Sequence, residues 1–500
     1  MAQAYASTGG ARIQVVGQLI GHQGEYGRVM TLSRQCGVSR QTLYAWQARG
    51  QQALAAAFTP VPRAAGGGRE RAILTLLAEG HASERGIQAC LAEVGGQAVS
   101  LGTINAVVRE AGQRALALLE RPVDRQVAAL ALDEIYGNDR HGGYLSAVDA
   151  HSGAVGGTTG PVGVDGDRWT LLLWLVQARG LRWCSTVHDG GKAIAQGCAR
   201  VDPEGRQQRD VWHVLHECGK VQGRLDRQVA GLATQTGTVA RQAARVAAGQ
   251  RPRGRAARSD VAAHAHLLTQ ARTTADALRY LSEELRLLRG VVVVQGERLL
   301  DRAARQAELD ALLALLAEVR DQAPAAMPPE LTRLHTGLTN ALPALLSFTL
   351  ALDPVQQQVV SHLAPALVAL VAWAWQRHAI LGPSRAALLA GFPPAWRPAA
   401  ALLCHAWDQT VRASSVVENW HSLLRPHLAV HRTLSPGLLA LLAVYHNHRI
   451  APRGLHQGTS PLQRSGLAAP GEWLTALGYP PPVAPAPSHP TIPARAPMAA

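Results

Sequence analysis

Lysine is nearly missing from this chain: Lys192 and Lys220 are the two in 500 residues, so arginine supplies almost all of the 49 basic side chains. Against 35 acidic residues these leave a net charge of +14. Guanidinium forks match phosphate oxygens, so a polyanionic partner is the first expectation. Cysteine is scarce as well. Its six copies are scattered, and the nearest pair, Cys184 and Cys198, lies far outside C-x-x-C spacing. That excludes a disulfide scaffold and a zinc ribbon, and predicts a reducing, cytoplasmic setting. Long apolar runs are absent too. The most apolar stretch, Leu363–Trp375, contains Pro365 and is too short to span a bilayer, so it predicts a buried helix and no membrane partner. The opening MAQAYASTGGARIQ has no basic segment before an apolar core and does not read as a secretory signal. Hydrophobic residues at 47% and charged ones at 17% predict a folded chain of about two to four domains.

What is present falls into six stretches. Residues 1–60 hold GRVMTLSRQCGVSRQTLYAWQARG (Gly27–Gly50): a short helix, a turn at Gly37, then a helix begun by Ser39 with Leu43 and Trp46 on one face. This is a helix-turn-helix pattern, with Arg40, Gln41 and Tyr44 at the start of the second helix free to face a DNA groove. Residues 61–125 open on a Pro/Gly-rich joint and continue as a second helical, helix-turn-helix-like region in which Ser100 is a candidate N-cap. From 126 to 218 the period changes to three strands, helix, strand, helix and the strand-like QRDVWHVLH, which implies an α/β sheet covered by helices. Residues 219–410 are Ala/Leu/Gln/Arg-rich at helical spacing, an all-helical insertion. Residues 411–466 hold further helices, and 467–500 form a Pro/Ala-rich tail.

Three carboxylates stand out by position. Asp133 ends the apolar run Val127–Leu132, and Asp189 ends a second strand and precedes Gly190-Gly191, where a close approach is possible. Glu418 lies in SSVVENWHSLLRPH (Ser414–His427), where Val416, Val417, Trp420, Leu423 and Leu424 make an apolar face. Glu418, His421, Ser422 and Arg425 form the opposite, polar stripe. Two Asp at strand ends and one Glu on a later helix are what two divalent cations about 3.5–4 Å apart need for phosphoryl transfer.

At these residues the sequence resembles a family. LDEIYGND, YLSAVDAHSGAV, TVHDGGKAI and the long run from VVENWHSLLRPH to SPLQRSG look like a DDE-type transposase/integrase of bacterial insertion sequences. The resemblance covers roughly residues 20–465 and is most specific over 414–465, through Glu418, Arg425, Tyr445, Asn447, Arg449, Gly458, Ser460 and Pro461. It implies a ribonuclease H-like α/β core, a mixed sheet with flanking helices, interrupted by the helical insertion and preceded by the helix-turn-helix region. It implies that Asp133, Asp189 and Glu418 are catalytic and hold two Mg2+ or Mn2+ ions. It implies double-stranded DNA partners, the element ends and the target, with Arg425 at the DNA, and a homo-oligomer on that DNA in a bacterial cytoplasm. The interval from Asp189 to Glu418 is far longer than in the minimal form, and the insertion accounts for it. Asp210 and His213 resemble the Asp-x-x-His that follows the second Asp in some lineages, a candidate supporting pair; a core His near a strand end is the plainer reading.

Other residues compete for these roles. Glu134 should face away from Asp133 on a strand. Asp149 could be a paired or supporting carboxylate, and Asp165 and Asp167 precede a helix as N-caps. His213, His216 and Cys218 lack a fourth zinc ligand, and Gly190–Lys192 lacks phosphate-loop spacing. In the insertion, Arg241, Arg245, Arg251, Arg253, Arg255 and Arg258 are either a solvated loop or a phosphate-neutralising track, with Arg251, Arg253 and Arg255 as DNA contacts. Two further classes fit the same residues: a transposase-derived DNA-binding regulator without activity, and a ribonuclease H-like nuclease without strand transfer.

Overall fold

The computed structural model describes residues 9–58, 67–137, 142–250, 260–324, 327–377, 384–454, 456–467 and 471–481. They divide into two compact units, residues 1–71 with 480–500, and residues 72–479. In the first, helices α1 (Gly9–Gly21), α2 (Arg28–Cys36) and α3 (Arg40–Phe58) close around Val15, Leu19, Leu32, Cys36 and Leu43. Gly37 sits at φ 67° and its N–H donates to the Ser33 carbonyl, which turns the chain between α2 and α3 as the sequence predicts. The Ser39 hydroxyl accepts the Thr42 N–H at 3.1 Å and so starts α3.

In the larger unit, α4 (Gly67–Ala78) continues from residue 72 and is followed by α5 (Glu84–Gly95) and α6 (Leu101–Leu119). Ser100 caps α6 by accepting the Thr103 N–H at 3.1 Å. Strands β1 (Arg125–Val127), β2 (Leu130–Tyr136), β3 (Gly143–Asp149), β4 (Val155–Val162), β5 (Leu181–Trp183), β6 (Ser185–His188) and β7 (Arg206–Arg209) follow, with α7 (Gly166–Ala178) and α8 (Lys192–Val201) between them. The main sheet is ordered β4-β3-β2-β6-β7. Its first three strands are an antiparallel meander, whereas β6 runs parallel to β2 and β7 parallel to β6. Asp165 caps α7, as expected, by accepting the Arg168 N–H.

Alternation along β2 gives each face its own cover. Leu130 and Leu132 pack with Trp169, Leu172 and Ile194 of α7 and α8. Ala131 faces the other way, into a core shared by α4–α6 and two C-terminal helices, Ser415–Val430 and Pro436–His448.

The sequence reading of a strand through His216 does not hold. The strand ends at Arg209; Asp210 then caps α9 (Val211–Ala247), a 37-residue helix. Asp210 accepts the Trp212 N–H, and an N-cap carboxylate at that position converts the following apolar residues from a strand period to a helical one. The insertion that follows is helical: α10 (Val261–Leu288), α11 (Arg302–Gln322), α12 (Pro328–Leu345), α13 (Thr349–Val360), α14 (Pro365–Gln376) and two further helices, Ser384–Ala390 and Arg397–Asp408, with one small hairpin at Val294–Leu299. It has its own core, from Val211 and Leu225 through Leu345 to Trp407. The expected buried apolar helix is α14, with Val368, Val371, Ala372 and Ala374 inside. Among the described residues no single helix is long and apolar enough to cross a membrane.

The end of the Pro436–His448 helix clasps the β3–β4 turn. Asn447 accepts the Val155 N–H at 2.7 Å and donates to its carbonyl at 3.1 Å, and the His446 ring bonds the Gly153 carbonyl. Arg464 donates twice to the Ser152 carbonyl, from Nε at 3.0 Å and Nη2 at 2.7 Å. Asn447→Ala leaves both polar groups of Val155 buried and unpaired and is expected to cost about 3 kcal/mol, against about 1 kcal/mol for Ser100→Ala at the α6 cap. Urea unfolding of the two variants beside the wild type measures this.

Candidate active site

Asp133 stands two residues past Ala131, on the face of β2 that looks toward the Ser415–Val430 helix. Parallel pairing sets Ala131 beside Val187, so two residues further Asp133 and Asp189 leave adjacent strands at the same level. Val187 belongs to that same core, which puts Asp189 on that face too. Asp189 is tied locally: its Oδ1 accepts the Gly191 N–H at 2.7 Å. The close approach expected at Gly190, which has φ 82°, is made by a side chain, since a Cβ there would overlap the Arg209 guanidinium.

The helix that carries Glu418 is fastened directly beside Asp133. Ser146 is the β3 partner of Asp133, and its hydroxyl accepts the Trp420 indole N–H at 2.9 Å. Val417, Trp420 and Leu424 are buried against the sheet, while Glu418 and Arg425 stay exposed on the outer side. The polar stripe expected on this helix is only partly right. His421 is turned inward and is 1% exposed, because the i+3 position lies on the edge of the strip that Val417, Trp420 and Leu424 bury. Its Nδ1 lies 3.9 Å from Asp133 Oδ2, and ligand atoms of Asp133, Glu418 and His421 all fall within 4.8 Å of one another. The structure therefore brings Asp133 and Glu418 together and adds a histidine that sequence reasoning left on the solvent side. Asp189 is outside that set; it borders a cleft of about 420 Å3 with Arg209, His213, Glu217, Arg224 and Glu330.

Arg425 does not stand free. It donates to Glu418 Oε2 at 2.6 Å, and both side chains are 55% exposed. A water-screened pair of this kind contributes about 0–1 kcal/mol, so a ligand with stronger charge displaces either partner at small cost.

Burial is the main cause that lifts the Asp133 carboxyl to about 7; the Glu134 N–H offsets part of the rise, and the charges of Glu134 and Asp189 add to it. Glu134 is also raised, first by burial and then by Asp189, and its Oε1 accepts the Tyr136 hydroxyl. Burial pulls His421 down to about 4, so its imidazole is neutral at pH 7. A cation placed among these groups would favour the charged carboxylates.

Asp210 and His213, the candidate supporting pair, stand at the start of α9. Asp210 is buried and accepts from the Ser414 N–H at 2.9 Å, the Ser414 hydroxyl at 2.5 Å and the Trp212 N–H at 2.7 Å, with His213 Nδ1 at 3.3 Å. Burial works to raise its pKa, but His213 and Ser414 outweigh it and hold Asp210 at about 2. His213 rises in return, chiefly through Asp210. Asp149 is a paired carboxylate, bound by Arg125 and Ser152, and takes no part in the site.

In the first unit, Arg40, Gln41 and Tyr44 are exposed at the start of α3, Tyr44 at 57%. Arg251, Arg253 and Arg255 lie outside the described residues, as does Arg258. Comparison with protein-family models and with curated proteins found no match.

Since Asp210 is depressed in the folded state, its contribution of about 2 kcal/mol is present above its unfolded value near 4 and is lost as pH falls through about 2. Asp210→Asn should therefore destabilise the chain by about that much at pH 7. Its deficit relative to wild type should shrink between pH 4 and pH 2, as followed by urea unfolding across that range.

Proposed function

We propose that this chain is a DDE-type transposase with a ribonuclease H-like core, cleaving DNA at the ends of its element and joining the freed 3′-hydroxyl to target DNA. One observation carries the reading. Asp133 and Asp189 leave neighbouring parallel strands at one level, and Trp420 seats the Glu418 helix against the strand beside them. The sheet, a three-stranded meander followed by two strands parallel to its first, is mixed and flanked by helices, as the resemblance implies for such a core.

The donor set fits hard divalent cations: carboxylate oxygens of Asp133 and Glu418 converge, with Asp189 on the adjoining strand. Two bound Mg2+ or Mn2+ ions would supply charge for the attacking and leaving oxygens of an in-line phosphoryl displacement. The chain's own residues then have simple tasks. The sheet fixes Asp133 and Asp189, Trp420 and Ser146 fix the depth of the Glu418 helix, and Arg425 pairs with Glu418 until a ligand takes its place. Arginines over the rest of the +14 chain suit phosphate contacts, with DNA as the polyanion. In the N-terminal unit the Gly37 turn presents Arg40, Gln41 and Tyr44 together at one helix start, the placement a groove-reading helix uses.

Asp133→Asn, Asp189→Asn and Glu418→Gln are each expected to reduce cleavage and joining about a thousandfold, a loss of several kcal/mol of transition-state stabilisation, with DNA binding and folding kept. A supercoiled-target joining assay with a labelled element end measures both steps. Cleavage without joining would assign a nuclease, and binding without either would assign a regulator.

Deleting residues 1–60 should remove the footprint on the element end and leave weak binding that falls steeply with salt, because contacts to phosphate carry no sequence information. An unchanged footprint would place end recognition elsewhere in the chain.

A further inference from the structure

His421 is a buried imidazole whose Nε2 has no hydrogen-bond partner among the described residues. Its nearest acidic oxygen, Asp133 Oδ2, is 3.9 Å away, too long for a hydrogen bond. Leaving a buried polar atom unpaired is destabilising, and an apolar residue would fill the same place without that cost. The ring nevertheless faces the two carboxylates that meet at the sheet edge, one helical turn after Glu418.

We propose that His421 is a nitrogen ligand of the cation held between Asp133 and Glu418, so that this position takes an imidazole-accepting divalent metal such as Mn2+ or Co2+ in preference to Mg2+ or Ca2+. The inference rests on the reading above only for the presence of a cation at these carboxylates. Ligand atoms around one ion of this size sit roughly 3–4.4 Å apart, and the three donors already lie within 4.8 Å, so side-chain rotation of a few tenths of an ångström completes the set. Arg425, whose exposed pair with Glu418 is weak, yields the Glu418 oxygen. Oxygen-only sites suit Mg2+ and Ca2+, whereas one imidazole shifts preference toward the first-row transition ions. The two cation positions then become unequal, since His421 stands at the one between Asp133 and Glu418 and not at Asp189.

The test is electron paramagnetic resonance of the full chain loaded with one equivalent of Mn2+, compared between natural-abundance protein and protein labelled with 15N-histidine. The expected result is a nitrogen coupling that changes with the label and disappears in Asp133→Asn together with the bound ion. His421→Gln should weaken Mn2+ about 10–100-fold and Mg2+ less than about threefold. Bound Mn2+ with no nitrogen coupling in the wild type overturns the proposal, and this measurement stands even where His421→Gln fails to fold. Unchanged Mn2+ affinity in a folded His421→Gln overturns it as well. The two readings separate cleanly. DNA cleavage with an oxygen-only Mn2+ signal sinks the His421 ligand and keeps the transposase, whereas a nitrogen-coupled ion in a chain that never cleaves DNA does the reverse.

Discussion

The bond from Asp210 to Ser414 is the constraint on which the rest of the larger unit depends. It joins residues 204 positions apart, and both partners start a helix: Asp210 caps α9, and Ser414 immediately precedes the helix that carries Glu418. One buried carboxylate thus fixes where the insertion leaves the sheet and where the chain re-enters it. The bond is short and charge-assisted, and Val211 N–H adds a second tie to the Arg412 carbonyl. Closing so long a segment is thermodynamically tolerable because the cost of loop closure grows only slowly with length. It is more favourable still here, since the segment folds around its own core from Leu225 to Trp407 and presents its two ends already close.

Given that closure, the geometry of the acidic cluster follows from strand alternation. Leu130 and Leu132 must face α7 and α8, so Ala131 and Asp133 must face the other way. Parallel pairing with β6 brings Asp189 to the same level, and the Trp420–Ser146 bond sets the helix over them. The price is electrostatic. Burial at this edge is the main cause that raises Asp133 to about 7, and the charges of Glu134 and Asp189 add to it. Carboxylates raised by burial, as Asp133 and Glu134 are, are more common at working sites than in structural cores.

The residues that carry the family resemblance divide into two groups. Glu418 and Arg425 are exposed at the acidic cluster, whereas Tyr445, Asn447 and Ser460 are buried and structural. Asn447 stitches its helix to β4, and Ser460 forms a capping box with Gln463. The same helix crosses α6 so closely that a Cβ on Gly112 would meet the Gly437 backbone at 2.9 Å. The most specific part of the sequence is therefore mostly a clamp behind the site.

The sequence by itself determined the local elements. Gly37 between two amphipathic turns, Ser100 and Asp165 before helices, and the switch to period two at Val127 are short-range signals, and the chain follows each of them. The elements that carry Asp133, Asp189 and Glu418 were legible because their apolar patterns are plain, although Asp133 lies within β2 rather than at its end. What only the tertiary structure decided were matters of contact across long separations. The sequence cannot show that Asp210 ends a strand and locks onto Ser414, because its run of apolar neighbours reads equally as strand or helix until the cap is made. Nor can helical periodicity alone place His421, which lies at the edge of the buried strip; whether it meets water or Asp133 depends on how far Trp420 sinks toward Ser146, and that depth is set by packing between elements rather than by spacing along one.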